Sequence, residues 1–196
     1  MLAMVQNTEN KEDLSTLKAR KFSLWLGMIG MFMMFAALSS GFIVYTEGAA
    51  GRGIKTILPT AFLYSTLLLM VSSLTMHLAY RASRQLRFSL QKVWLLLTIA
   101  LGVGFFFMQF HAWGILISRG VVFINNNASQ SFIYIFTGMH LLHIFAGLLV
   151  LIRALVGVLR HIPQSRNIFR METAAIFWHF LDILWIYIYV FLLLNQ

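Results

Sequence analysis

His140, His143, His179 and Asp182 are the residues of this sequence with the most chemistry open to them. Imidazoles beside a carboxylate can hold a metal ion, ligate haem, relay a proton or hydrogen-bond between helices. All four lie in runs apolar enough for a bilayer. Phe136–Gly147 reads FTGMHLLHIFAG and Glu172–Tyr189 reads ETAAIFWHFLDILWIYIY. On a helix, Trp178, Asp182, Trp185 and Tyr189 fall at i, i+4, i+7 and i+11, which is one face, and His179 flanks it. His140, His143 and Gly147 share a stripe at i, i+3 and i+7. A charge in the middle of a membrane helix costs about 2.5–3.5 kcal/mol on insertion scales, so it requires a partner or a functional cavity. The expected arrangement is an interhelical network, with His140 and His143 facing His179 and Asp182. Ala146 and Gly147 would let the two helices approach closely. A metal or a bis-imidazole haem at His140, His143 and His179 is the alternative.

The rest of the chain has to position these groups in a membrane. It has 196 residues, 60% hydrophobic and only 11% charged, outside the range of ordinary soluble domains. The absence of cysteine excludes a disulfide framework, a thiolate metal site and covalent haem attachment. Five apolar runs, about Phe22–Tyr45, Ile57–Tyr80, Val93–Ile117, Phe132–Leu159 and Thr173–Leu194, each reach the roughly 20 residues that cross a bilayer. The fold class expected is therefore all-α, a membrane bundle of five transmembrane helices. Residues 1–21 read as a polar tail with an interfacial helical turn, too long and acidic for a signal peptide. Residues 22–196 read as one five-helix domain. Connections are short: Gly48–Gly53, Arg81–Lys92, Ser118–Ser131 and a basic segment around Pro163. Pro59 is expected in the first turn of the second helix, where no N–H partner is needed.

Basic residues set the expected orientation. Lys11, Lys18, Arg20, Lys21, Arg81, Arg84, Arg87, Lys92, Arg153, Arg160, Arg166 and Arg170 fall on one side, against Arg52, Lys55 and Arg119 on the other. Positive-inside places the N-terminus in the cytoplasm and the C-terminus outside. Topology thus accounts for the net charge of +9, and a nucleic-acid partner is excluded. Asp182 and His143 then lie near the midplane, with His140 nearer the outer face. His77, near a cytoplasmic helix end, and His111, near an outer one, are expected out of reach of them. Glu172 is expected to begin its helix at the interface, favouring the helix dipole and reaching Arg170 or Arg166. Trp94, Trp113, Tyr45 and Tyr80 read as interfacial belt residues, and Met28–Met34 as adaptable packing. Gly27, Gly30, Gly102, Gly104 and Ser39–Gly41 suit either close helix crossings or lipid contact.

These residues carry a resemblance. Glu172–Tyr189 closely resembles the last helix of the cytochrome c oxidase subunit III family, and Phe136–Gly147, with Gly138 and Gly147, the penultimate one. Gln109 and Trp113 sit where that family has a Gln and an aromatic, and Phe35–Phe42 (FAALSSGF) is similar to its earlier helix. The similarity spans about residues 22–194 and matches the short, five-helix form. It implies helices splayed around a lipid-filled cleft, bound phospholipid, and docking on the catalytic subunit I alongside subunit II. It also implies that haem and copper belong to partner subunits, with none in this chain. The chain departs from the family pattern in three places: Met31 and Ala112 replace carboxylates, and Asn167 and Ile168 occupy the region of a family His.

The functional expectation is a non-catalytic subunit III of a haem–copper terminal oxidase in a bacterial inner membrane, stabilising subunit I, holding lipid and supporting proton uptake. Cytochrome c is the first choice of electron donor. A quinol oxidase subunit III or an accessory subunit of a nitric oxide reductase is the alternative. A free-standing proton-coupled transporter using His143 and Asp182, or a bis-histidine haem protein, stands further off. The third run, VWLLLTIALGVGFFFM, offers a transporter no polar path.

Overall fold

In the computed structural model the chain is all helical, with α1 Leu2–Glu47, α2 Thr60–Arg84, α3 Phe88–Ser118, α4 Ala128–Leu159 and α5 Gln164–Leu194. The structure describes residues 2–48, 54, 57–124, 127–160 and 163–195, with side chains from Ser15 onward. All five helices are long and apolar enough to cross a membrane, α1 over Ser15–Glu47. Residues 49–53 of the connection expected at Gly48–Gly53, with Arg52, and also Lys55 and His161, fall outside the described residues.

Helix ends differ from the apolar runs because hydropathy marks where a span leaves hydrocarbon, whereas caps and breakers mark where a helix stops. Pro163 is the N-cap of α5, so the helix starts nine residues ahead of the expected Thr173. Asn127 caps α4, its side chain accepting from the Ser129 N–H at 3.1 Å, and the helix begins at Ala128 rather than Phe132. Pro59 precedes α2 as its N-cap, one place before the expected first turn. No break separates residues 1–21 from the first span; α1 runs through the expected boundary.

Helices α2 to α5 form a closed ring in which α2 lies beside α3 and α5, and α4 beside α3 and α5. Among the described residues α1 stands outside this ring, packed on α4 and α5 alone. It runs parallel to α5, tied near its middle by Lys21 Nζ to Glu172 Oε1 at 2.7 Å and nearer its C-terminal end by Ser39 Oγ to Tyr187 OH at 2.7 Å. Phe42 adds edge contacts to Phe132 of α4 and Phe191 of α5. A cavity of about 1070 Å³, lined on α1 by Thr16, Leu17, Arg20 and Leu24, lies between that helix and α4 and α5. Arg20, Arg153, Arg166 and Arg170 are among the lining residues.

Polar side chains cross-link the ring, as expected where lipid supplies no hydrophobic drive between helices. Thr75 of α2 meets Thr98 of α3 at 2.8 Å. Gln91 of α3 and Asn167 of α5 exchange two amide bonds at 3.2 and 3.3 Å. Trp113 Nε1 donates to Thr137 Oγ1 of α4 at 3.0 Å, so this half-buried indole near the end of α3 is also an interhelical tie. Asn167, at the position lacking a family His, is thus fully engaged.

Candidate functional site

The inward face of α5 holds two fully buried tryptophans, one helical heptad apart. Trp178 Nε1 donates to Ser72 Oγ of α2 at 2.8 Å. Its ring lies between two glycines of other helices. A Cβ on Gly102 of α3 would stand 2.8 Å from Trp178 Cη2, and one on Gly147 of α4 would stand 3.2 Å from Trp178 Cε3 and 2.9 Å from Leu181. Trp185 Nε1 donates to Thr66 Oγ1 of α2 at 3.0 Å. Its ring stacks on Phe62 of α2, meets Phe105 of α3 edge-on at 4.9 Å, and lies 5.0 Å from His140 of α4. Each indole therefore touches all three other ring helices and satisfies its one polar atom. That face, with its tryptophans at i and i+7, is the one the spacing identifies.

Gly102→Ala should destabilise the chain by about 1–3 kcal/mol, the usual cost of forcing extra volume into a packed core. Gly30→Ala, with nothing within 4 Å of the added carbon, should stay within about 0.5 kcal/mol. Denaturant unfolding of the two purified variants in one detergent checks the contrast. Gly138, whose Cβ would lie 3.9 Å from Trp113, belongs with the tolerant positions.

The four polar residues do not form the expected network. His140 is buried between Phe105 and Trp185, and neither ring nitrogen has a hydrogen-bond partner. His143 turns to the other side: its Nδ1–H donates to the Met139 carbonyl at 2.6 Å and its ring packs 5.9 Å from Phe35 of α1. Three residues along a helix leave about 60° between side chains, enough for the two imidazoles of α4 to meet different neighbours. His179 and Asp182 face α2 instead of α4. Ser73 Oγ and His179 Nδ1 are 2.7 Å apart, and Asp182 Oδ2 lies 4.0 Å from that nitrogen. Both Asp182 oxygens lack a hydrogen bond. His77, expected out of reach, has its ring 6.4 Å from that of His179, because it lies one turn after Ser73 on the same face of α2.

Glu172 also differs from expectation. It lies inside α5 rather than at its start, and it pairs with Lys21 of α1 rather than with Arg170 or Arg166. Met28 is buried, with Met31 and Met34 packed against the core, as adaptable packing requires. Among the described residues, no group of three or more His, Cys, Asp or Glu side chains is placed to hold a metal ion. The residues sequence reasoning passed over are on α2: Ser65, Thr66, Ser72 and Ser73. Their spacing of seven was the available signal, weak because hydroxyls are ordinary in membrane helices.

A helical ring with an α5 tryptophan spine and an outlying α1 is a fold, and the family model for cytochrome c oxidase subunit III matches residues 18–195 of it. The chain belongs to that family. Relatives of subunit III from several bacteria are similar along almost the whole length. The cytochrome bo(3) ubiquinol oxidase subunit 3 of Buchnera aphidicola is 30% identical over 195 residues, covering 96% of this chain and 92% of the relative. That of Pseudomonas aeruginosa is 31% identical over 170 residues, or 86% and 81%. The cytochrome c oxidase subunit 3 of Bacillus subtilis is 27% identical over 177 residues, or 88% and 84%.

In this subunit III the motif positions have structural work. Gln109 is buried and its Nε2 donates to Ser65 Oγ of α2 at 3.2 Å, while its Oε1 has no partner. Ala112, one of the altered acid positions, is wholly buried, and Met31, the other, packs half-buried against the core. A carboxylate at Ala112 would enter an apolar interior and require a partner there.

Proposed function

We propose that this chain is the non-catalytic subunit III of a bacterial haem–copper terminal oxidase, seated in the cytoplasmic membrane with its N-terminus inside and its C-terminus outside. It stabilises subunit I, holds lipid and supports proton uptake, while haem and copper reside in partner subunits including I and II. The observation that carries this reading is the family match across residues 18–195. The side-chain arrangement supports it, since His140 and His143 of α4 point to different neighbours and Asp182 makes no bond to either. That pattern supports neither a bis-histidine haem at α4 and α5 nor a His143–Asp182 proton relay. The cavity between α1 and the α4–α5 pair, with four arginines in its lining, suits a phospholipid with an anionic headgroup. Twelve of fifteen basic residues on one side support the orientation.

The electron donor is cytochrome c in the first reading. A quinol is the second, favoured by the ubiquinol oxidase names of the relatives from Buchnera aphidicola and Pseudomonas aeruginosa. Purification in mild detergent from native membranes tests the assignment, with oxygen uptake assayed on reduced cytochrome c and on ubiquinol. The chain should co-purify with a haem-bearing subunit I. Expressed alone, it should show no Soret band and no stoichiometric copper, iron or zinc. A chain found monodisperse alone while the oxidase stays intact without it would sink the reading, as would a bis-histidine haem spectrum lost on His143→Ala.

A further inference from the structure

The polar cluster on the outer side of α2 and α5 has no occupant within the chain. His179 is the middle residue of α5, and Ser73 lies next to the middle of α2. The apolar runs place the cluster inside the hydrocarbon, with His179 six residues beyond Thr173 and Ser73 seven before Tyr80, roughly 10 Å from the nearer headgroup layer. The His179 side chain is 32% exposed, and His77 of α2 is exposed beside it. Behind them Asp182 is 95% buried, with neither oxygen hydrogen-bonded. Around the cluster the surface is apolar: Met70, Leu74 and Ile183 are all half or more exposed. A polar spot ringed by apolar side chains has the anatomy of a contact centre from which a partner excludes solvent.

Acyl chains cannot satisfy an imidazole or a carboxylate at this depth, and water is absent from the hydrocarbon region. A lipid headgroup cannot reach it without leaving its own layer. The remaining occupant is a helix carrying a polar side chain. We infer that Ser73, His77 and His179, with Asp182 behind them, form the docking centre for a transmembrane helix of another oxidase subunit, one that presents to the two imidazoles a hydrogen-bond donor such as a hydroxyl, amide or indole N–H at that depth. The inference rests on the oxidase-subunit reading and adds to it the face by which the subunit is held.

The test uses the assembled oxidase. With p-benzoylphenylalanine in place of Leu74, irradiation in the native membrane should link this chain to a transmembrane helix of another oxidase subunit, within about a turn of a polar donor. Links to lipid alone, or to a second copy of this chain, overturn the inference. A second readout is the ratio of this chain to haem after purification. The His77→Leu, His179→Leu pair should lower that ratio about tenfold, as expected for two interhelical hydrogen bonds of average strength. The His77→Asn, His179→Gln pair, which keeps hydrogen-bonding groups there, should recover most of it. Wild-type retention of the leucine pair overturns the docking centre. Failure of the unmodified chain to co-purify with haem would instead overturn the oxidase reading, so the two are told apart.

Discussion

Trp178→Ala should lower the stability of the chain by about 3–5 kcal/mol, the range for deleting a large aromatic from a packed core. The ring is fully buried between Gly102 and Gly147, so three helices lose contacts at once. Ser72 Oγ loses its indole donor as well. Natural domains have about 5–15 kcal/mol in total, so the variant should be depleted from membranes and from the purified oxidase. Trp178→Phe keeps much of the volume and should retain a larger share. The measurement is unfolding of the isolated chain alongside subunit stoichiometry in the complex. Unfolding of Trp178→Ala at the wild-type midpoint would mean that the ring is not the spacer between α3 and α4.

Asp182→Leu should have opposite effects on the isolated chain and on the assembled complex. Within the chain the carboxylate makes no close hydrogen bond, lying beside Ser73 and 4.0 Å from the His179 nitrogen. When charged, it carries an insertion cost of about 2.5–3.5 kcal/mol, so the isolated variant should resist unfolding more strongly, by up to that amount. In the oxidase His179 loses the carboxylate 4.0 Å behind it, and the ratio of this chain to haem should fall. Glu172→Gln, at a half-exposed pair with Lys21, should cost under about 1 kcal/mol. Easier unfolding of isolated Asp182→Leu would show that Asp182 holds the bundle together from inside.

The contrast with an α4–α5 network shows what a helical sequence encodes and what it leaves open. The period of 3.6 states which residues share a face, and it correctly groups Trp178 with Trp185. It does not state which neighbour that face meets. His140 and His143 looked like natural partners for Asp182 because they share its depth, yet Ser72 and Ser73 of α2 occupy that side. Hydropathy found every span. The ends were less legible because Pro163 and Asn127 act through caps, and the apolar run stops short of them. No sequence rule links Lys21 to Glu172, 151 positions apart. Gly102 and Gly30 look alike in sequence, and only the packing around them separates a crowded position from an open one.

The placement of α1 outside the ring has a consequence for biosynthesis. This helix ends at Glu47, and the helices it packs on begin at Ala128 and Gln164. At about 5–20 residues per second, the ribosome needs roughly 8–30 s to travel from Lys21 to Glu172. Until α4 is made, α1 has none of its native neighbours. Meanwhile α2 and α3, joined by a short link, can pair as soon as both are made. The order of packing is therefore not the order of synthesis: α1, made before α2 and α3, is placed only once α4 and α5 follow them.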